Sequence, residues 1–464
     1  MWQHYYRPTQ LAEALALLRQ HAGRARLIAG GTDAVVELQR SGRPVEVAID
    51  LSGIGGMHAI ERDGDWIEIG MLATHHDVIS APVCTLGAMP LVQACREIGA
   101  PQIRNRATVV GNLVTASPAN DTITALVALD AQVVVQHADA QRVVPLAEFH
   151  PGFRRTLLQP DELVRAVRLP LLQPNQRGLF LKLGLRRAQA IAVVNVAVVV
   201  TFAGEATTTP VQAVRLALGC VAPTIIRVPQ AEAALVGLPL TPEQCVRAGA
   251  LAAAAITPID DVRGSAAYRR ATIESLVMHA LSGIAADAIA APPPAPLLAT
   301  ATVESAPLPY DGVIHTTING TAHTLVDVQQ LTLLDAVRHA GYTGSKIGCA
   351  EGECGACTLW LDGRAVMGCL VPAGQAHGAQ VTTIEGLAQH GALHPLQQAF
   401  IDHAAVQCGY CIPGFLMAGA KLLAEVGQPD RTMAQEALGG NICRCTGYRK
   451  ILDAVVAAGE QGGA

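Results

Sequence analysis

The chain has 464 residues, enough for about three domains. Half of them are apolar but only 3% are aromatic, so the cores must be built from Ala, Val, Leu and Ile. The net charge of −5 is mild and no basic stripe appears, which argues against a nucleic-acid partner. In chain order, RARLIAGGTDAVVEL reads as a short strand, the turn Ala29, Gly30, Gly31, Thr32 and Asp33, and then a helix. Strand, small-residue turn and helix present backbone N–H groups to a phosphate, although a Gly-Gly turn is also an ordinary tight turn. A second stretch, IRNRATVVGNLVTASPAND, reads as a loop rich in hydroxyls and amides around Gly111, suited to a polar cofactor.

A weak break at Leu172–Asn175 divides the N-terminal half. Beyond it, IAVVNVAVVVTFAG is too short to span a bilayer and is β-branched, so it reads as a buried strand. Cys84, Cys95, Cys220 and Cys245 stand singly among apolar residues and are expected as packed core thiols. Asp261, Arg263 and Arg269, in ITPIDDVRGSAAYRR, are expected as a structural ion-pair group. The main break is residues 286–311, where small residues surround six prolines. That composition predicts a semi-rigid tether between independently folded halves. No internal repeat is evident.

After the break, VIHTTINGTAHTLV alternates around Asn319-Gly320 and predicts a hairpin with a tight primed turn. A helix follows, with Leu331, Leu334 and Val337 on one face and Gly341 as its stop. A second hairpin is expected at Asp362-Gly363, and a short strand ending near Thr383 closes the unit. Between these elements lie Cys349, Cys354, Cys357 and Cys369, spaced C-x4-C-x2-C with a fourth cysteine after eleven residues. This is the plant-type [2Fe–2S] spacing, and Gly344, Gly348, Gly352 and Gly355 let the backbone curl so that N–H groups face the sulfurs. Cys408, Cys411, Cys443 and Cys445 form a second group, C-x2-C and then C-x-C, set in helical sequence. Disulfides suit small secreted domains, whereas no signal-peptide pattern opens this chain. A four-cysteine zinc site usually uses two C-x2-4-C knuckles, which neither group supplies cleanly. Two [2Fe–2S] centres therefore remain the expectation, and with them one-electron traffic.

GCAEGECGACT, LHPLQQAF, QCGYC-x-PG and GNICRCTGY resemble the iron–sulfur domain of the molybdenum hydroxylases, the family of xanthine dehydrogenase, aldehyde oxidoreductase and aerobic carbon monoxide dehydrogenase. The match runs from about residue 312 to 458 in order and spacing. Ile412 departs from it, since the family more often has Thr there. The AGGT turn and the stretch around Gly111 resemble the two loops with which the family's flavin domain clasps the FAD pyrophosphate. Residue by residue, the resemblance carries FAD contacts to Ala29, Gly30, Gly31, Thr32 and Asp33, to Thr108, Val109, Val110, Gly111 and Asn112, and to Thr115 and Asp121. It places Lys182 as a cation near the flavin ring, with Ile98 and Val164 packed nearby. Val110 departs, because the family usually has a second glycine there. Gln407 and Cys445 are expected to face a pterin.

The resemblance implies an α+β multidomain chain. Residues 1–173 and 174–285 would form a two-lobed α/β FAD-binding module, and 286–311 the linker. Residues 312–388 would form a ferredoxin-like β-grasp [2Fe–2S] domain, and 389–464 an all-α helical [2Fe–2S] domain. No segment is left for the family's large molybdopterin-binding subunit, so that subunit is expected as a separate chain. Electrons would leave it through the helical cluster and the plant-type cluster to FAD, and then reach NAD, oxygen or a quinone. A cytoplasmic dimer of heterodimers is the implied assembly. The competing reading is a free-standing NAD(P)H diaphorase, which would leave the pterin-facing cluster without a purpose. A scaffold protein that merely retains the domains would be expected to have lost cluster ligands, and all eight are present.

Overall fold

The computed structural model describes residues 1–289, 294–300 and 308–461. They fall into two compact units. The first comprises Met1–Gly56, Gly99–Ala107 and Pro294–Ala464, and the second Met57–Ile98 and Thr108–Pro293. The stretch expected as one module, 1–173, is therefore shared between the units. The physical reason lies in side chains of the first unit that reach far along the sequence. The Trp2 indole donates to the Gln329 carbonyl at 2.9 Å, and the Arg40 guanidinium forms a two-pronged pair with Glu351.

In the first unit, Trp2–Tyr6, Val45–Asp50 and Ala25–Ile28 form a three-stranded parallel sheet in that order. The plant-type region forms a five-stranded sheet ordered Thr321–Leu325, Ile314–Ile318, Gln380–Thr382, Thr358–Leu361 and Arg364–Met367. Its hairpins turn where expected, since Asn319, Gly320, Asp362 and Gly363 all have positive φ, as primed turns require. The helix Leu333–His339 is closed at its start by a capping box between Thr332 and Asp335, and it buries Leu333, Leu334 and Val337. This is the β-grasp arrangement. Pro395–Asp402, Ile412–Val426, Arg431–Ala437 and Arg449–Gln461 follow as helices around a core that includes Phe400, Phe415 and Met417.

Part of the expected tether packs into the fold. Within 294–300, Leu298 is fully buried. The Glu425 carboxylate accepts from the backbone N–H groups of Leu297 and Leu298, and Ala365 N–H donates to the Leu298 carbonyl. Ala299 pairs with Arg364, so this piece covers the sheet edge that Arg364–Met367 would otherwise present. The rest of the Pro-rich stretch, 290–293 and 301–307, lies outside the described residues.

In the second unit an antiparallel sheet runs Ile60–Asp63, Trp66–Gly70, Leu163–Pro170, Gln132–Gln136 and Gln141–Pro145. A four-stranded sheet is centred on Ala192–Phe202, the β-branched run, which is buried on both faces. Helices Pro242–Ala255 and Ala266–Ala285 share its core. They approach so closely that a Cβ on Gly249 would stand 2.5 Å from the Glu274 carbonyl. Small residues at such crossings let an aromatic-poor chain reach interior packing density. Among the described residues no helix is long and apolar enough to cross a membrane.

Candidate redox-cofactor sites

The plant-type cysteines fall into two hydrogen-bonded thiol pairs, Cys349 with Cys354 and Cys357 with Cys369, and none forms a disulfide. Two ligands for each of two irons is the arrangement a [2Fe–2S] cluster needs. Glu351 and Glu353 donate their N–H groups to Cys349 Sγ at 3.3 Å, and Cys349 N–H donates to Cys354 Sγ at 3.4 Å. The loop passes so near the sulfurs that a Cβ on Gly348 would lie 2.5 Å from Cys354 Sγ. The hydrogen bond from Cys354, with those backbone donors, pulls the Cys349 thiol down to about 5, while Cys354 is pushed up. Backbone dipoles aimed at sulfur favour the thiolates that iron requires, so the residues fit the cluster.

In the helical region Cys408 pairs with Cys445 and Cys411 with Cys443. The N–H and hydroxyl of Thr446 both donate to Cys443 Sγ, at 3.4 and 3.0 Å. Cys411 and Cys443 are buried, whereas Cys408, Cys445 and the neighbouring Gln407 are exposed. Ile412 begins the helix that follows Cys411 and is buried in its core.

Of the residues expected at FAD, Ala29, Gly30, Gly31, Thr32 and Asp33 lie in the first unit. They lead from strand Ala25–Ile28 into helix Ala34–Ser41, whose first-turn N–H groups point back along the loop. A Cβ on Gly31 would stand 2.5 Å from the Leu370 carbonyl, and this residue has φ of +82°. Glycine is thus required there by protein packing. The Ala29 carbonyl accepts from Gln375 Nε2 at 3.1 Å, and the same nitrogen donates to the buried Asp50 carboxylate at 2.8 Å.

Thr108, Val109, Val110, Gly111, Asn112, Thr115, Asp121 and Lys182 lie in the second unit. The stretch read as a loop contains a helix, Val109–Thr115, begun by Thr108, whose hydroxyl accepts the Gly111 N–H at 3.0 Å. A Thr cap followed by two valines conceals a helix start from a composition-based reading. Val110 has no positive φ and is buried, so its Cβ imposes no strain. Asp121 and Lys182, expected as separate contacts, are one buried ion pair at 2.7 Å, each side chain 5% exposed. Asn195 donates to the other Asp121 oxygen, and Lys182 also donates to the Glu97 carbonyl. Burial raises the Asp121 carboxyl above its ordinary value, while the Lys182 cation opposes that rise.

Asp261 pairs with Arg263 and Arg269, both at 2.6 Å, as the ion-pair reading expects. Cys84, Cys95, Cys220 and Cys245 are buried.

The family profiles that match are "FAD binding domain in molybdopterin dehydrogenase" over residues 2–172 and "CO dehydrogenase flavoprotein C-terminal domain" over 180–284. A "2Fe-2S iron-sulfur cluster binding domain" matches 316–378, and a "[2Fe-2S] binding domain" matches 383–456. The carbon monoxide dehydrogenase medium chain of Hydrogenophaga pseudoflava is 31% identical over 60% of this chain and 95% of its own length. The chain belongs to the molybdenum hydroxylase family. Within that family, the nicotine 6-hydroxylase small subunit of Paenarthrobacter nicotinovorans is 46% identical over 33% of this chain and 94% of its own length. A solved structure of the Hydrogenophaga pseudoflava carbon monoxide dehydrogenase superposes with a TM-score of 0.57 at 32% identity, covering 60% of this chain and 96% of that one. This molybdenum hydroxylase chain is thus an oxidoreductase subunit with an FAD-binding domain and two [2Fe–2S]-binding domains.

The sequence reading did not anticipate Gln102, Gln375 or Asn441. Each works through a side-chain amide in a fold contact rather than through a ligand motif. Only Asn441, inside GNICRC, stood in a recognisable motif at all.

Proposed function

We propose that the chain is the electron-transfer subunit of a molybdenum hydroxylase complex. It relays electrons from a molybdopterin site on a separate large subunit to FAD and an external acceptor such as NAD. When bound, the clusters supply one-electron steps and the flavin converts them to a two-electron delivery. The observation that carries this reading is the uneven burial of the helical group. Cys411 and Cys443 are enclosed, whereas Cys408, Cys445 and Gln407 stand at the surface with Val406, Tyr410, Ile442 and Tyr448 exposed beside them. An exposed apolar collar around a ligand pair suits a partner that brings its own redox group close. The thiols of Cys357 and Cys369 are instead enclosed by Leu334, Met367, Leu370 and Ile103, which keeps water from these two thiols. The relatives act on nicotine and carbon monoxide by name, so N-heterocycles, aldehydes and carbon monoxide are the substrates to supply.

The test compares the isolated chain with the complex purified from its host, following visible bleaching after substrate addition. Bleaching in the complex alone is expected. Substrate-driven bleaching of the isolated chain free of molybdenum would overturn the proposal, and rapid NADH turnover in a complex lacking molybdenum would favour the diaphorase reading.

A further inference from the structure

We infer that Asn441 is a positioning residue that holds both cluster loops and a segment of the flavin module in one buried amide chain. The inference rests on the reading of the eight cysteines as two [2Fe–2S] sites. Asn441 is 4% exposed and stands two residues before Cys443. Its Nδ2 donates to the Gly355 carbonyl at 3.0 Å and approaches Thr358 Oγ1 at 3.4 Å, within the loop that carries Cys354 and Cys357. Its Oδ1 accepts from Gln102 Nε2 at 2.8 Å. Gln102 is fully buried and lies within the stretch matched by the FAD-binding profile. Three modules of the sequence therefore meet at one side chain, all inside the first compact unit.

The backbone is shaped around this amide. A Cβ on Gly355 would stand 2.6 Å from Asn441 Nδ2 and 2.3 Å from the Gly440 carbonyl. One on Gly414, in the helix that follows Cys411, would meet the Gly355 carbonyl at 2.3 Å, and one on Gly440 would meet Gln102 Oε1 at 2.4 Å. Substitution at any of these glycines would wedge the loops apart. The amide is also directional. Because the Gly355 carbonyl can only accept, Asn441 must present its N–H pair to it, and that leaves Oδ1 for the Gln102 N–H. The Gly355 carbonyl thus sets the orientation of Asn441, and Asn441 sets the spacing of the loops. A buried amide held in one orientation specifies a single arrangement, which is what two redox centres at fixed separation require.

The experiment uses the purified full chain reduced with dithionite, with iron content and low-temperature EPR as readouts. Wild type is expected to show two [2Fe–2S] signals split by their mutual magnetic interaction. Asn441→Ala and Asn441→Leu should both keep full iron while changing that splitting, because neither side chain can donate to Gly355. Gln102→Met, which removes one hydrogen bond and leaves that donor in place, should change it less. If Asn441→Ala does not fold, Asn441→Leu decides alone. Wild-type splitting in an iron-replete Asn441→Leu chain would overturn the inference. Absence of two cluster signals in wild type would instead overturn the cluster reading beneath it.

Discussion

At the scale of single residues, the cysteine pairs carry the most direct prediction. Cys408→Ser removes a ligand from the helical group alone, so iron content should halve and the plant-type EPR signal should persist. Loss of both signals from a folded variant would contradict two separate sites. Asp261 yields a stability prediction. The hydrogen bonds from Arg263, with the Arg269 charge beside it, hold its carboxyl well below the usual carboxylate range. With the folded value below the unfolded one, this contribution is complete above the ordinary carboxylate value and is lost as pH falls through the folded value. Asp261→Asn leaves Arg269, 1% exposed, without its charge partner and should cost about 3 kcal/mol at neutral pH. The deficit should narrow as pH falls below about 4, where the carboxyl of the unfolded wild type takes up a proton while the folded one stays charged. Denaturant titrations of both proteins across that range would show a constant difference if the pair were unimportant.

At the scale of elements, what could be read from the chain depended on whether the signal was local. Asn319-Gly320 and Asp362-Gly363 announced their hairpins because a primed turn demands residues that tolerate positive φ. The run ending at Phe202 announced a buried strand by its β-branching. The eight cysteines declared their grouping by spacing. Helix Val109–Thr115 was hidden, because its valines and threonines are poor helix formers and tertiary burial overrode them. Because Val110 is buried within that helix, Val110→Gly should destabilise the chain by about 2 kcal/mol through lost burial and helix propensity. A midpoint equal to wild type in thermal unfolding would refute the helical placement. The segment 294–300 was likewise illegible, since nothing in PAPLLAT shows that Leu298 will be enclosed. Leu298→Ala should cost about 2–5 kcal/mol, where a free tether would show no change.

At the scale of the whole molecule, the family and its cofactors were legible from motifs, whereas the partition into compact units was not. Motifs record ligands, but the unit boundaries follow from long-range contacts such as Trp2 to Gln329 and Gln102 to Asn441, which no local pattern encodes. That partition has a consequence for biosynthesis. The first unit begins with Met1 and is completed only by the far end of the chain. A ribosome adding about 5–20 residues per second emits Trp2 roughly 20–60 s before the Gln329 carbonyl it will bind. During that interval the parallel strands Trp2–Tyr6, Val45–Asp50 and Ala25–Ile28 stand without the C-terminal part of their unit. Nascent chains stalled before residue 300 should therefore be cut by protease within their first 56 residues, and released full-length chains should resist. Strand Trp2–Tyr6, made before the segments that complete its unit, is among the last parts to finish folding, and a chaperone that shields it through that wait would raise the yield of the protein more than one acting on residues 308–461.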